Sequence, residues 1–300
     1  MTPRALTPRA LTPATLAALR AAGLDIRDAE RAVRTALDED FRYGPDLTSA
    51  ATAGDAPLRA QVVAREQGVL AGLPVACAVL DAVGGVASTA LRADGSRVGP
   101  GEPVLRVSGP ATAVLGAERT MLNFLTHLSG IATTTRAWAD AVAGTGAVIR
   151  DTRKTLPGLR QLEKYAVRCG GGQNHRMGLG DAALIKDNHV AAAGGVAKAI
   201  EAVRLASPGL PLEVECDTLD QVGESLAAGA RFLLLDNMPV EIMRAAVAEA
   251  RRYPGVRLEA SGGLRLAAAR EVAATGVDYL AVGALTHSSR ALDLGLDFAW

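Results

Sequence analysis

The sequence has few aromatic residues and few cysteines, and both shortages narrow the class of protein. Aromatic residues make up 3% of the 300 residues and hydrophobic residues 49%. The core must therefore be built from Ala, Val, Leu and Gly at close backbone distances, a composition that favours α/β architectures. Cys77, Cys169 and Cys216 lie far apart and in no metal-ligand spacing. This argues against a zinc site and a disulfide scaffold, and predicts a cytoplasmic protein.

The chain also lacks an excess of charge and a long apolar run. Lys plus Arg and Asp plus Glu each number 32, so the net charge is zero. Without a basic field we expect no nucleic-acid partner and no binding to an anionic membrane. No apolar run approaches the roughly 18 residues of a spanning helix. The N-terminus carries two copies of Thr-Pro-Arg-Ala-Leu in place of a signal peptide, so we expect a protein that is not exported.

The first half of the chain predicts a small α+β domain. Residues 1–13 are rich in proline and predict a disordered tail. Helical spacing of apolar residues predicts an amphipathic helix over Asp25–Phe41 and a long bridging helix over Glu118–Ala143. Between them, residues 58–115 mix short β-branched runs with Gly and Pro turns.

The second half alternates apolar runs with Ala-rich helical stretches, which predicts a parallel sheet. Each run ends in polar or glycine residues that no core requires, and in a β/α barrel the active site lies at the carboxyl ends of the strands. Six such strands are visible where a complete barrel has eight, so we expect an open or incomplete barrel. The six runs are 147–149, 182–185, 212–216, 232–235, 256–258 and 279–282.

A basic cluster lies between Arg150 and Arg176, with seven basic residues against two acidic ones. An anionic ligand would explain it, and a solvated helix face is the alternative for the residues that have helical spacing. Arg153 and Lys154 directly follow a predicted strand, where a guanidinium can bind a carboxylate or phosphate bidentately. The helical set is Arg160, Glu163, Lys164 and Arg168.

Two further basic features follow the cluster. The glycine run 170–172 leads into His175-Arg176, and it is either a flexible loop or part of an anion site. Lys186 ends an apolar run, so its ammonium requires a counter-charge. It could act as a Schiff-base nucleophile or as an anion clamp.

Carboxylates and glycines mark the later strand ends. Glu213 and Glu215 share one face of a strand, and Asp236 and Glu259 end the next two. Such carboxylates can bind Mg²⁺, accept ribose hydroxyls or stabilise a cation, and a structural ring of ion pairs is the alternative. The last two strands end in Ser261-Gly262-Gly263 and Val282-Gly283-Ala284, where many barrels bind phosphate. Together these features indicate a phosphorylated, polyanionic substrate.

Eight short motifs follow one another along the chain. They are Glu118-Arg119-Thr120, Leu128–Thr133, Asp151–Thr155, Gly171–Arg176, Ile185–His189, Glu213-Val214-Glu215, Leu235-Asp236-Asn237 and Ser261-Gly262-Gly263. In this order they resemble the quinolinate phosphoribosyltransferase family, also called carboxylating nicotinate-nucleotide pyrophosphorylases. The resemblance runs from about Asp40 to Leu296, and the chain departs from the usual Gly-Asp-Leu-Thr of the family at Gly44-Pro45-Asp46.

The resemblance implies a fold, a reaction and an assembly. The fold is α/β, with an N-terminal α/β sandwich domain (residues 15–128, after a tail of residues 1–14) and an open β/α barrel of six or seven parallel strands (residues 129–287). Residues 288–300 would pack back on the sandwich domain. The implied reaction joins quinolinate to 5-phosphoribosyl-1-pyrophosphate, with Mg²⁺, and gives nicotinate mononucleotide, pyrophosphate and CO₂ in NAD biosynthesis. The implied assembly is a homodimer with active sites at its interface, and further assembly of dimers stays open.

The resemblance also implies a role for each matching residue. Quinolinate would be held by Arg119 from the other subunit and by Thr152, Arg153, His175, Arg176 and Lys186. Lys154 and Lys186 would face the pyrophosphate and its metal, and Glu215 and Asp236 the ribose hydroxyls and Mg²⁺. These four residues are the predicted catalytic set. The 5′-phosphate would be held by the backbones of Ser261, Gly262, Gly263, Val282, Gly283 and Ala284.

Other functions remain open at this stage. The chain could be a related enzyme that uses nicotinate or nicotinamide in place of quinolinate. It could also be a molybdenum-associated homologue that shares the fold and has another substrate. Arg153 and the pair His175-Arg176 favour quinolinate because they suit a second carboxylate. A Schiff-base lyase built on Lys186 is chemically different, and a non-catalytic dimeric scaffold would leave the basic cluster unexplained.

Overall fold

The computed structural model describes residues 8–298, and these residues form two compact units. Unit 1 comprises residues 8–134, 155–171 and 286–298, and unit 2 comprises residues 135–154 and 172–285. The predicted domain boundary at residues 128/129 falls within a helix that both units share. A second difference is that residues 155–171, which the prediction gave to the barrel, belong to unit 1 by their packing.

Unit 1 contains an antiparallel sheet and helices. Its helices are α1 (Pro13–Ala21), α2 (Ile26–Asp40), α3 (Leu47–Thr52), α4 (Leu73–Val83), most of α5 (Ala111–Ala141) and α6 (Arg160–Cys169). Its strands are β1 (Pro57–Ala64), β2 (Gly68–Val69), β3 (Ala87–Ala90), β4 (Arg97–Val98), β5 (Pro103–Pro110) and the C-terminal β12 (Leu294–Phe298). The strand order of the main sheet is β12-β1-β5-β3, and β2 pairs with β4. The chain thus returns to unit 1 for its last strand.

Local sequence signals explain why α2 and α3 begin where they do. The Asp25 carboxylate accepts a hydrogen bond from the Asp28 N–H at 3.1 Å, and Asp46 accepts one from the Ser49 N–H at 3.0 Å. Both are N-caps, which satisfy backbone donors that a first helical turn leaves unpaired. On α2, Ala29, Val33 and Leu37 are buried, as the amphipathic pattern predicts.

The predicted N-terminal tail falls partly on residues 1–7, which lie outside the described residues. Its later part is ordered, which corrects the end of the tail. The Arg9 N–H donates to the Ala82 carbonyl at 2.9 Å, and the Thr12 N–H donates to the Asp81 carboxylate at 2.8 Å. Thr12 also caps α1, which begins at Pro13, because proline suits the first turn of a helix.

Unit 2 contains a six-stranded parallel sheet with helices between its strands. The strands are β6 (Val148–Arg150), β7 (Ala183–Ile185), β8 (Leu212–Cys216), β9 (Phe232–Asp236), β10 (Arg257–Ser261) and β11 (Tyr279–Ala281). The helices are α7 (Asp187–Ala193), α8 (Val196–Ala206), α9 (Leu219–Ala227), α10 (Val240–Ala250), a 3-10 turn (Leu266–Ala268), α11 (Ala269–Ala273) and α12 (Ala284–His287), which ends in unit 1.

The strand order makes this sheet an open barrel. The order is β6-β11-β10-β9-β8-β7. The five strands from β7 to β11 thus lie side by side in chain order, and β6 pairs with β11. Beyond β6, the segment around Gln173 forms a parallel bridge with Arg150. The predicted α/β class, the six strands and the open barrel are confirmed. The long helix is confirmed as α5, although it begins at Ala111 rather than Glu118. Within the described residues, no helix has the length and apolar character required to cross a membrane.

Candidate active site

Most of the predicted site residues lie at or near the carboxyl ends of the parallel strands, at one edge of unit 2. Lys186 directly follows β7, Glu215 lies near the end of β8, and Asp236 and Ser261 end β9 and β10. Parallel strands all end at the same edge of a sheet, which in barrels is the edge that carries the site. The predicted residues that unit 2 contains are Thr152, Arg153, Lys154, His175, Arg176, Lys186, Glu215, Asp236, Ser261, Gly262, Gly263, Val282, Gly283 and Ala284.

Lys186 has the counter-charge that the sequence required. Its Nζ donates to Oε2 of Glu215 on the neighbouring strand. The Lys186 side chain is 45% exposed and that of Glu215 is 13% exposed, so the ammonium lies at the surface of the site while the carboxylate lies below it. A cation held in this way can contact an anionic ligand and keep its carboxylate partner.

A tight turn after β6 presents the first basic residues. The Thr152 Oγ1 accepts a hydrogen bond from the Lys154 N–H at 3.0 Å. Arg153 is half-buried and Lys154 is exposed. Thr152 therefore shapes the turn that carries both cations.

The loop that carries His175 and Arg176 is fastened to the same turn by Asp151. This fully buried carboxylate accepts hydrogen bonds from Asn174 Nδ2 at 2.6 Å and from the His175 N–H at 2.8 Å. Asp151 begins one of the eight sequence motifs, but the resemblance implied no role for it. Its position just after a predicted strand was the available signal, because a carboxylate that is buried there requires hydrogen-bond donors.

Arg176 lies close to a second cation. Burial, together with the nearby charge of Arg153, lowers the pKa of the Arg176 guanidinium. Its NH1 donates to the Ala182 carbonyl at 3.0 Å. Two guanidinium groups close enough to repel each other favour an anion between them.

An inner cluster of charges lies inside the barrel. The Glu259 carboxylate, fully buried, accepts from Arg150 NH1 at 2.6 Å, and Arg150 also lies over the rings of Phe232 and Tyr279. His175 Nε2 lies 3.0 Å from Glu213 Oε2 and 3.2 Å from Glu259 Oε1.

Glu213 and Glu259 thus form the ring of ion pairs that the sequence left open as an alternative. Burial alone lowers the pKa of His175, but the hydrogen bonds and charges of Glu213 and Glu259 outweigh it and raise the pKa to about 9. Ligand atoms of these three residues lie within 4.8 Å of one another. Arg150 pairs with Glu259, and His175 lies against both carboxylates, so the carboxylates of the cluster have cationic or hydrogen-bonding partners from the protein itself.

The two glycine-containing turns differ in how they are built. Gly262 and Gly263 both have positive φ, 86° and 58°, which glycine adopts without strain. After β11, the Val282 N–H donates to the Arg150 carbonyl at 2.9 Å. This amide is therefore already hydrogen-bonded and does not donate to a phosphate. Gly283 and Ala284 then lead into α12.

Two groups of predicted residues belong to unit 1. Arg119 is exposed on α5 and lines a cavity of about 250 Å³ with Asp40, Asp46 and their neighbours. Arg119 thus belongs to unit 1, whereas the other predicted site residues belong to unit 2. The family's Gly-Asp-Leu-Thr segment also lies here, and despite the Pro45 departure, hydrogen bonds from Ser49 still lower the pKa of Asp46.

The other group lies on α6, where the solvated-face alternative is wrong for two residues. Glu163 and Lys164 are fully buried. Glu163 Oε1 lies 2.9 Å from His127 Nε2, and Glu163 Oε2 accepts from the Leu156 N–H at 3.1 Å. The Glu163 carboxylate is therefore paired within unit 1, as a buried charge requires.

Comparison with known families agrees with this arrangement. Residues 131–297 match the model for the C-terminal domain of quinolinate phosphoribosyl transferase, and residues 46–129 match the model for its N-terminal domain. The chain belongs to the quinolinate phosphoribosyl transferase family. The resemblance that eight sequence motifs indicated is thus confirmed.

Relatives and solved structures place the chain within this family. It is 57% identical over 276 residues to a nicotinate-nucleotide pyrophosphorylase (carboxylating) of Mycobacterium leprae, covering 90% of this chain and 97% of that protein. A probable enzyme of the same name from Bacillus subtilis is 42% identical, covering 86% of this chain and 89% of that protein. The structure of a nicotinate-nucleotide pyrophosphorylase from Francisella tularensis superposes with a TM-score of 0.87 at 39% identity, covering 91% of this chain and 96% of that one.

Proposed function

We propose that the chain is a quinolinate phosphoribosyltransferase, that is, a carboxylating nicotinate-nucleotide diphosphorylase of NAD biosynthesis. It transfers the phosphoribosyl group of 5-phosphoribosyl-1-pyrophosphate to quinolinate and releases pyrophosphate and CO₂. The observation that carries the proposal is the matched domain pair of this family, whose barrel presents cations and carboxylates at the same strand ends. Both substrates are polyanions, which agrees with the composition of that edge.

Quinolinate carries two adjacent carboxylates, and the basic turns after β6 and before β7 suit them. Arg153 and Arg176 lie close enough for their charges to repel, and a dianion between them removes that repulsion. Thr152 shapes the first of these turns, and Asp151 fastens the loop of His175 and Arg176 to it. Arg119 of the partner subunit completes the quinolinate site in a homodimer.

The phosphoribosyl group lies across the ends of β8, β9 and β10 in this proposal. Glu215 and Asp236 face the ribose, where displacement of pyrophosphate develops positive charge on the sugar, and their carboxylates stabilise that charge. Lys154 and Lys186 hold the pyrophosphate. The backbones of the turn Ser261–Gly263 and of Gly283 and Ala284 hold the 5′-phosphate. Loss of CO₂ then needs no dedicated base, because the pyridinium ring accepts the electrons.

The residues at the ends of β8 and β9 also fit Mg²⁺. Glu215 and Asp236 lie on neighbouring strands and offer carboxylate oxygens, the donor type that Mg²⁺ prefers. When bound, Mg²⁺ stabilises the negative charge of the pyrophosphate leaving group. The protein supplies the position of the carboxylates and of the Lys186 ammonium beside Glu215.

A comparison of substrates tests the proposal. The purified protein is incubated with 5-phosphoribosyl-1-pyrophosphate, Mg²⁺ and either quinolinate, nicotinate or nicotinamide, and nucleotide products are separated by chromatography. We expect nicotinate mononucleotide from quinolinate alone. Product from nicotinate and none from quinolinate would favour the related transferase, and covalent trapping at Lys186 by borohydride would favour a Schiff-base lyase.

A further inference from the structure

Asn237 follows Asp236 directly and has an unusual backbone. Its φ is 52°, and it is the one non-glycine residue with positive φ in the part of the chain that the structure describes. Asparagine tolerates this left-handed region better than most residues, and such conformations cluster at functional sites. The proposed function assigns no role to Asn237.

The contacts of Asn237 join two strand ends. Its Nδ2 donates to Oδ2 of Asp236 at 2.6 Å, and its backbone N–H donates to the Ser261 carbonyl at 3.0 Å. Asp236 and Ser261 are also register partners on β9 and β10. One residue thus connects the Asp236 carboxylate to the end of β10.

The glycine turn after β10 is built around the Asn237 side chain. A Cβ on Gly262 would lie 2.3 Å from Asn237 Oδ1 and 2.5 Å from Asn237 Cγ, which is far too close. Glycine at this position therefore leaves room for the asparagine as well as supplying the positive φ. The turn therefore packs close to the same amide group that donates to the Asp236 carboxylate.

We propose that Asn237 is a positioning residue for the phosphoribosyl substrate. It holds the Asp236 carboxylate at a fixed separation from the turn Ser261–Gly263. The carboxylate can then contact the ribose while the turn contacts the 5′-phosphate of the same substrate molecule. The proposal rests on the function proposed above, which assigns Asp236 to the ribose and the turn to the phosphate. Asparagine combines tolerance of the left-handed backbone with an amide donor. Glycine supplies only the first, and aspartate replaces the donor with a charge that repels Asp236.

Two variants separate the side chain from the backbone. Asn237→Gly keeps the positive φ and removes the amide, and Asn237→Asp keeps the size and removes the donor. Glu241→Gln, at an exposed position on the following helix α10, is the matched control. Steady-state kinetics give KM for each substrate, and calorimetry with 5-phosphoribosyl-1-pyrophosphate, with Mg²⁺ and with a chelator, gives a binding constant that does not depend on turnover.

For both Asn237 variants we expect kcat/KM for 5-phosphoribosyl-1-pyrophosphate to fall roughly tenfold or more, while KM for quinolinate changes by less than about twofold. Calorimetric affinity should fall with kcat/KM, and the Tm of Asn237→Gly should match that of the control. An Asn237→Gly enzyme with unchanged kinetics and affinity would overturn the proposal, as would equal losses for both substrates together with a lower Tm. An inactive wild-type enzyme, in contrast, would contradict the proposed function itself.

Discussion

Lys186 is the residue at which the geometry of the sheet and the proposed chemistry coincide. Its ammonium leaves the end of β7, donates to Glu215 and stays half-exposed. A lysine that packed only for stability would bury its stem and leave its charge in water. Here the charge is instead paired with a carboxylate at the sheet edge where the proposed function places the pyrophosphate.

Replacing Lys186 with alanine tests this position. We expect Lys186→Ala to lose more than about 90% of kcat/KM while its Tm stays near that of the wild type, because the proposed function places this half-exposed side chain against substrate and outside the core. Lys198→Ala, at an exposed position on α8, should leave both quantities unchanged. Retention of more than a tenth of kcat/KM, a loss under about 1.4 kcal/mol, would remove Lys186 from the catalytic set.

The arginines of the basic turns lead to a prediction about selectivity. Arg153→Ala and Arg176→Ala should each weaken quinolinate binding by about 1.5–3 kcal/mol, the value of a charge-assisted hydrogen bond, with a much smaller effect on 5-phosphoribosyl-1-pyrophosphate. Two calorimetric titrations per variant measure this, with exposed Arg252→Ala as the control. Equal weakening of both ligands would mean that these arginines serve the phosphates or the fold.

At the scale of residues, residue type and strand position predict much of the candidate site, but they do not predict how deep in the barrel a side chain lies. Glu213 and Glu215 lie two apart on one strand and so share a face. Yet Glu213 contacts His175 inside the barrel, whereas Glu215 contacts Lys186 at the sheet edge. Alternation tells which side of a strand a residue faces, and the layer of the barrel that it fills depends on strand stagger. Arg150 was missed for the same reason, since its partner Glu259 comes from another strand.

At the scale of elements, the apolar strands could be predicted well and the charged helix α6 could not. The six runs of the barrel appear as β6 to β11 because buried parallel strands require continuous apolar sequence. In α6, charges at helical spacing resembled an exposed face, but Glu163 and Lys164 are buried. The Glu163 carboxylate contacts His127 on α5, a segment distant in sequence, and no local pattern reveals such a partner.

The buried carboxylate of α6 gives a prediction about stability. Glu163→Ala leaves His127 and the Leu156 N–H without their acceptor, so the free energy of unfolding should fall by about 2–4 kcal/mol. Urea denaturation followed by circular dichroism measures the change. Glu201→Ala, at an exposed position on α8, should change it by less than about 0.5 kcal/mol. Similar free energies of unfolding for the two variants would mean that the contacts of Glu163 contribute nothing to stability.

At the scale of the whole molecule, the family assignment depends on both units. The antiparallel sheet of unit 1 and the open barrel of unit 2 match the two domain models of the family in chain order. The two domain models meet at residues 129–131, next to the predicted boundary at 128/129, whereas the packed units divide the chain differently, because α5 runs from one unit into the other without a break and residues 155–171 pack in unit 1. Packing between distant segments decides that division.

The proposed shared site predicts complementation between two inactive variants. Arg119→Ala and Lys186→Ala homodimers should each be nearly inactive. When they are unfolded and refolded together, each mixed dimer has one site with both defects and one with neither, so random pairing should restore about a quarter of the wild-type sites. Activity after mixing, with heterodimers verified by mass spectrometry, measures this. Heterodimers that stay inactive would mean that Arg119 does not act across a subunit interface.

The most direct test of the central claim is the stoichiometry of one reaction. Quinolinate labelled with ¹³C in its 2-carboxylate is incubated with the purified protein, 5-phosphoribosyl-1-pyrophosphate and Mg²⁺, and the products are followed by NMR. The account predicts that labelled CO₂, pyrophosphate and unlabelled nicotinate mononucleotide appear in equal amounts. A pyridine nucleotide that retains the label, or pyrophosphate release without any nucleotide, would contradict it.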